Sequence, residues 1–403
     1  MKYTEQEVMQ FVEEEDVKFI RLAFCDVFGK PKNVSIMESE LKRAFEMGIA
    51  IDASAIVGFG SEARSDLFLH PDPSTLAVLP WRPEHGRVVR MYCYIKNPDG
   101  TPFFADTRRL LARTDEKAKE KGYTFRFGTE IEFYLFRLDE LGNKTDVPYD
   151  NAGYMDMSPD DKGENIRREI CLTLEQMGIY PESSHHEEGP GQNEIDFRYS
   201  SPLEAADNAQ TFRSVVGATA MRNGVAVDFS PKPLKDQAGN GVHINFSVES
   251  STGEDVMGPA IAGILKHIPA LTAFLNPTEA SYKRLGEKKA PAYVSWAEGN
   301  RSQLVRVPAA QGEYRRAEVR SPDANSNPYI AFTLLMHAAL DGIENKLKLP
   351  APANVNFYDA PESVLNRYKR LPVSLKEANE QARSSKLIKK VLPSSIIKTY
   401  IER

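Results

Sequence analysis

Gly128-Thr-Glu-Ile-Glu-Phe133 stands inside a longer run, Tyr123–Leu138, whose residues alternate in character. Phe125, Phe127, Thr129, Ile131, Phe133 and Leu135 fall on one face of a strand, and Glu130 and Glu132 fall on the other, because side chains of an extended chain repeat every second residue. An antiparallel sheet with one wet face explains two glutamates by itself. Three further runs repeat the pattern with different chemistry. In Asn193–Tyr199, Ile195, Phe197 and Tyr199 oppose Glu194, Asp196 and Arg198. In Gly241–Val248, Val242, Ile244, Phe246 and Val248 oppose His243, Asn245 and Ser247. In Arg315–Ser321, Ala317 and Val319 oppose Arg316, Glu318 and Arg320.

If these polar faces converge, they line a cavity with carboxylates, one imidazole and guanidinium groups. Packed carboxylates raise one another's pKa unless something neutralises them. Divalent cations do so, and oxygen ligands with a single histidine suit Mg²⁺ or Mn²⁺. The arginines then call for a polyanion, and the phosphates of ATP fit. Together these groups describe phosphoryl transfer. The nucleotide site is not a P-loop, because no GxxxxGK[ST] occurs, and no strand–GxGxxG–helix fingerprint is present. Gly239-Asn-Gly241 before the His243 strand reads as a tight loop, either a plain turn or a cover over a substrate. His185 and His186 are adjacent in a strand and point to opposite faces, so at most one is expected to hold metal, and packing or support is expected of both.

Working outward, residues 1–100 read as a small α+β domain and 101–403 as a larger one. Thr4 and Glu7 have capping-box spacing ahead of Val8, Phe11 and Val12. Strands are expected at Val17–Phe24, Lys32–Ile36, Ser65–Leu69 and Val88–Ile95, with a helix over Met37–Met47 stopping at Gly48. Asn97-Pro-Asp-Gly-Thr-Pro102 is dense in turn formers and marks the boundary. Asp106 then caps a helix ending at Gly122. Later helices are expected near 162–178, 203–223, 258–275, 328–347 and 374–384.

With 403 residues the chain exceeds one compact core. Hydrophobic residues at 41% and charged residues at 27% exclude a wholly disordered chain. A net charge of −6 argues against a dedicated nucleic-acid partner. Cys25, Cys93 and Cys171 are odd in number and far apart, and read as reduced thiols. The start carries no signal-peptide pattern, and Tyr329–Leu340, read as the most apolar segment, is too short to span a bilayer. A soluble, cytoplasmic protein without a membrane partner is the expectation.

The chain resembles bacterial type I glutamine synthetases, from Val17 nearly to its end. The resemblance rests on Asn97–Pro102, Gly128–Phe133, Ser184-His-His-Glu187, Gly189-Pro-Gly-Gln-Asn-Glu-Ile195 and Lys232-Pro. It continues through Asn276-Pro-Thr, Ser281-Tyr-Lys-Arg-Leu285, Asn300-Arg-Ser302, Arg306-Val-Pro308, Glu318-Val-Arg-Ser-Pro-Asp323 and Asn327-Pro-Tyr329. It implies an α+β fold, a β-grasp domain followed by a catalytic domain with a curved antiparallel sheet flanked by helices. It implies an ATP-dependent ligase of nitrogen metabolism that makes glutamine from glutamate and ammonium through a γ-glutamyl phosphate. Glu132, Glu187 and Glu194 would hold one metal, and Glu130, His243 and Glu318 the other. Phe197, Arg198, Tyr199, Asn245, Phe246, Ser247, Arg306 and Arg316 fall where the family binds ATP. Arg284, Arg301 and Arg320 match arginines that hold the acid or the transferring phosphoryl group, and Gly239 falls in the acid-binding loop. Asp52 matches an aspartate that reaches a neighbouring subunit's site and helps bind ammonium, so the resemblance implies a homo-oligomeric ring.

Three departures surround the acid and the amine. The family's flap carries a glutamate just before an Ala-Pro. Here Arg284-Leu-Gly-Glu-Lys-Lys-Ala-Pro291 is one residue shorter, with Lys289 at that place and Glu287 two residues earlier. The family's Asn-Gly before the metal histidine is Ala238-Gly239, and its Asp-Gly-Ser-Ser is Asp52-Ala-Ser-Ala55. Either Glu287 fills the flap role or the substrate differs, a different amine or acid being used. A paralogue that binds without turnover is the remaining alternative. The family's C-terminal clasp between rings is not matched, so a single hexameric ring is favoured over a dodecamer.

Overall fold

Thr4 caps the first helix, α1 (Glu5–Glu14): its hydroxyl accepts from the Glu7 amide, and the Glu7 carboxylate accepts from the Thr4 amide at 2.7 Å. Val8 and Val12 are the helix's buried residues. The chain, described here from a computed structural model over residues 3–60, 65–82, 85–287, 289–310 and 312–402, divides into two units. The first comprises residues 1–110 with 172–179, and the second residues 111–171 with 180–403.

In the first unit, β1 (Val17–Cys25), β2 (Pro31–Met37), β3 (Ile49–Asp52), β4 (Asp66–Pro71), β5 (Ala77–Val78) and β6 (Arg87–Lys96) form one sheet. Its order is β2-β1-β6-β4-β3, with β5 against β6. The β1–β6 pair is parallel and the rest antiparallel. The β1–β2 turn closes on Asp26, whose Oδ1 accepts from the amides of Phe28 and Lys30 at 3.0 Å each. The expected helix over Met37–Met47 is shorter: α2 spans Leu41–Glu46 after a 3₁₀ turn at Glu38–Glu40. Met37 is held in the β2 ladder opposite Phe19, so helix cannot begin there.

The second unit is built on β7 (Tyr123–Leu138), which begins after α3 (Thr107–Glu120). β8 (Lys144–Pro148), α4 (Glu164–Gln176), β9 (Pro181–His186), β10 (Gln192–Phe197), α5 (Pro202–Arg222), β11 (Val225–Asp228) and β12 (Val242–Ser250) follow. Then come α6 (Met257–Leu275), α7 (Glu279–Arg284), β13 (Trp296–Glu298), β14 (Val305–Val307), β15 (Ala317–Val319) and α8 (Pro328–Glu344). The C-terminal stretch adds α9 (Glu362–Leu365), α10 (Leu375–Ser384), α11 (Lys386–Val391) and α12 (Ser394–Ile401). The sheet runs β13-β14-β15-β12-β7-β10-β9, with β8 and β11 also on β7.

The apolar face of β7 is buried under helices. Phe127 stacks on Phe332 of α8 with centroids 4.4 Å apart, and Phe133 meets Phe212 of α5 edge-on at 5.9 Å. Beyond Phe133 the alternation ends, since Tyr134 and Phe136 are buried as well. Two expected strands are shorter than read. β10 stops at Phe197, leaving Arg198 and Tyr199 outside it, and β15 keeps only Ala317–Val319. A longer apolar segment than Tyr329–Leu340 is α6. It has 19 residues and a mean hydropathy of 1.3, enough by length and composition to cross a membrane, yet 72% of its apolar window is buried inside this unit. α6 meets α8 backbone to backbone: a Cβ on Gly263 would lie 2.1 Å from the Ala338 carbonyl, and one on Gly342 2.0 Å from that of Pro259.

Candidate active site

Strand register aligns the charged residues across the sheet. His243 of β12 lies opposite Glu130 of β7, which lies opposite Asp196 of β10, itself opposite Ser183 of β9. One step along, Glu132 is opposite Glu194, and Glu194 is opposite His185. At the other edge Asn245 pairs with Glu318, and Glu318 with Arg306. Residues two apart on a strand share a face, so the alternation puts both rows on one side. A cavity of about 350 Å³ opens over them, and a second of about 640 Å³ adjoins it. Glu130, Ser183, Asp196 and Arg316 line both.

Hydrogen bonds fix the acids unequally. His243 Nδ1 donates to Glu130 Oε2 at 3.0 Å, and Asn245 Nδ2 to Glu130 Oε1 at 2.8 Å. Burial opposes charge on Glu130, but these bonds and nearby Arg320 outweigh it and hold its pKa at about 2. The Gly241 amide donates to Glu132 Oε2 at 2.6 Å, yet burial and then the Glu187 charge leave Glu132 raised. Glu187 is lowered because the His185 contact at 3.1 Å and the Glu188 amide outweigh burial. Glu194 is pushed well above the carboxylate range, first by burial and then by Glu132, Asp196, Glu130 and Glu187. Asp196 is pushed up to about 6 by burial and Glu130.

Such a set fits a hard divalent cation, which would relieve the repulsion that raises Glu194. Two groups of donors converge within 4.8 Å: Glu130, Glu194 and His243, and His185, Glu187 and Glu194. This grouping differs from the one the resemblance implied. Glu194 belongs to both groups, and His185, of which packing or support was expected, lies close enough to join one. His186, buried and bonded to Asp150, fits that role. Glu132 is turned to the Gly241 amide. Glu318, fully buried, gives one oxygen to Arg320 and the other to Arg306 at 2.7 Å, while His243 Nδ1 stands 3.4 Å away.

The cationic side is equally built. Arg284 is buried and donates to the Ser321 carbonyl at 2.8 Å. Burial leaves its pKa below the usual guanidinium value. Gly241 makes room for it, since a Cβ there would sit 2.5 Å from Arg284 Nη2. Gly239, Arg284, Arg301, Arg306 and Arg320 line the smaller cavity. Phe197, Arg198, Tyr199, Asn245, Phe246 and Ser247 line the larger one with Arg316, whose Nε donates to Asn245 Oδ1 at 3.1 Å. Arg306 thus lies on the acidic side rather than with the other expected nucleotide residues.

The family models agree with this geometry. Residues 16–98 match the glutamine synthetase β-grasp domain, and 104–403 match the glutamine synthetase catalytic domain. A glutamine synthetase of Clostridium saccharobutylicum is 42% identical over 415 residues, covering 99% of this chain and 94% of that one. One from Staphylococcus aureus is 40% identical over 420 residues, covering 99% and 93%. The chain belongs to the glutamine synthetase family. Its α+β fold, a β-grasp domain followed by a catalytic domain, matches solved structures. A GmaS/ADP complex superposes with a TM-score of 0.88 at 25% identity, covering 98% of this chain and 94% of that one. Plasmodium falciparum glutamine synthetase gives a TM-score of 0.87 at 22% identity, covering 100% and 96%. As a glutamine synthetase family member the chain is an ATP-dependent ligase, and divalent metals are general in that family.

Two expected residues are not among the described residues that line the cleft. Asp52 belongs to the first unit, exposed, with its carboxylate accepting from the Ser54 amide at 2.9 Å and hydroxyl at 2.6 Å. Those bonds lower its pKa. Glu287 is exposed, its amide bonded to the Arg284 carbonyl at 3.0 Å, and it is not among the described residues lining the cavity. The flap reverses after it: Lys289 does line the cavity, with φ +58°, whereas Lys288 lies outside the described residues. Sequence reasoning missed Tyr154 and Glu188, which also line the cavity. Glu188 directly follows Glu187 in the sequence, but only the turn between β9 and β10 turns it inward. Nothing in the sequence around Tyr154 announces it.

Proposed function

We propose that this ligase couples ATP cleavage to amide formation between a carboxylic acid and an amine, with glutamate and ammonium as the default pair. A carboxylate is a poor acyl donor because it would have to expel oxide. Attack by one of its oxygens on the γ-phosphorus of ATP breaks the bond to ADP and makes an acyl phosphate. The amine nitrogen then attacks the acyl carbon, phosphate leaves with the bonding electrons, and the amine gives up a proton. Divalent cations held by Glu130, Glu132, Glu187, Glu194, His243 and Glu318 would neutralise charge on the transferring group.

The chain's own groups account for the remainder. Phe197 and Tyr199 offer apolar and aromatic surface for a base, and Arg316 offers charge for phosphates. Arg284, Arg301 and Arg320 suit the acid substrate and the charge developing during transfer. The observation that carries this reading is the sharing of Glu130, Asp196 and Arg316 by the two cavities, which lets a nucleotide in one meet an acid in the other. Asp52, exposed on the β-grasp domain, would complete a neighbouring subunit's site in a ring.

A different amine is the second reading, and Lys289 raises it: a cation, paired with Glu188, stands at the flap position where the resemblance implies a glutamate. Phosphate release from ATP, measured across a panel of acids and amines with Mg²⁺ or Mn²⁺, tests both. Release with glutamate and ammonium supports the default, release with another pair supports the second reading, and none with a folded protein rejects catalysis.

A further inference from the structure

Most acids lining the cleft are bonded to groups of the surrounding sheet and loops: Glu130 to His243, Glu132 to the Gly241 amide, Glu187 to His185, and Asp196 to Ser183. Glu188 is arranged differently. Its amide donates to Glu187 Oε2 at 3.0 Å, while its carboxylate forms an ion pair with the Lys289 ammonium. That ammonium also lies 5.0 Å from the ring centre of Tyr154. The ring in turn stands edge-on against His185, with centroids 5.4 Å apart and planes at 86°. A carboxylate beside an aromatic face is a general way to hold an ammonium group. Here the group it holds belongs to the chain itself, delivered by a flap residue in the left-handed backbone region.

We infer that Lys289 is a tethered occupant of the acceptor seat, and that the amine substrate must displace it from Glu188 and Tyr154. This rests on the ligase reading above. What sits there is a primary ammonium on an alkyl stem, so the acceptor class the seat favours is a primary alkylamine. Free ammonium replaces the charge but not the stem. The ion pair is partly exposed, with side chains 43% and 36% accessible, which keeps displacement within reach of millimolar amines.

Hydroxylamine provides the control, because it is largely uncharged at neutral pH and traps an acyl phosphate as a hydroxamate without needing a cation seat. The quantity to measure is kcat/KM for ammonium or n-butylamine divided by kcat/KM for hydroxylamine, with KM and kcat resolved separately. Lys289→Met should raise this ratio about tenfold through KM, the scale of one partly exposed ion pair with a cation–π contact. Glu188→Gln should lower it by a similar factor, Lys289→Arg should stay near wild type, and wild type should prefer n-butylamine to ammonium. If Lys289→Met leaves the ratio within about twofold of wild type, or ammonium is preferred throughout, Lys289 is not an occupant of the seat. Wild type that makes hydroxamate but shows flat ratios overturns this inference alone. Wild type that makes no hydroxamate with any acid overturns the ligase reading and this inference with it.

Discussion

Two clusters in the catalytic domain use the same residue types to opposite ends. One joins Asp150, Asp161 and His186; the other joins Glu130, Glu194, Glu187, His185 and His243. In the first, every carboxylate oxygen meets N–H donors. Asp150 accepts from His186 Nε2 and the Gly191 amide at 2.9 Å each, and from the Lys162 amide at 3.0 Å. Asp161 is gripped by the two Arg167 nitrogens at 3.1 and 2.5 Å, and by the Gly163 amide at 2.9 Å. His186 Nδ1 meets the Glu187 carbonyl at 2.6 Å, so both ring nitrogens face acceptors. Burial opposes the imidazolium, but the Asp150 bond and charge outweigh it and raise His186. In the second cluster Glu194 has His185 Nε2 at 3.5 Å and four carboxylates acting against it. Residue type alone does not make a metal site. What separates the two is Glu194, crowded by four carboxylates, whereas the carboxylates of the first cluster are each matched by N–H donors.

The largest effect that can break this contrast is on folding. Asp161→Asn leaves the buried Arg167 charge without its partner, and should cost about 3–5 kcal/mol of stability. Thermal unfolding checks it, and adding Mn²⁺ should not restore the loss. Glu132→Ala should do the reverse, lowering turnover by about 10²–10³-fold while the unfolding temperature stays level or rises, because one charge leaves a repelling set. Near-normal activity of Glu132→Ala at saturating Mg²⁺ would remove Glu132 from the site.

The smallest effect concerns acid. Burial would raise Asp150, but the His186 bond and charge and the Lys162 and Gly191 amides outweigh it and lower its folded pKa. A lowered carboxyl contributes stability that is present above the unfolded value, about 3.9, and lost as pH falls through the folded one. Wild type should therefore lose more stability below about pH 4 than Asp150→Asn does. Parallel losses in the two proteins would show that the network adds nothing to the ionised carboxylate.

Much of this was legible in the chain. Alternation along Tyr123–Leu138 gave the strand and its wet face, and the capping box at Thr4 gave the first helix to within its cap. Pattern could not give register, because pairing Glu130 with both His243 and Asp196 depends on residues far apart in sequence. The outcome for His185 and His186 shows the limit well. Period 2 put them on opposite faces, as observed, but only tertiary placement decided which one met Glu187 and Glu194 and which met Asp150. Lys289 is legible as a departure, whereas its partner Glu188 is not, because an acid beside an acid looks like surface.

Direct Mn²⁺ binding, measured by titration calorimetry on wild type, Glu194→Gln and Asp150→Asn, tests the contrast most closely. The account predicts that Glu194→Gln weakens Mn²⁺ binding by about tenfold or more, the order seen when a group supporting a metal is lost, while Asp150→Asn keeps the wild-type stoichiometry and affinity. Loss of a bound Mn²⁺ in Asp150→Asn, with Glu194→Gln binding as wild type does, would contradict it.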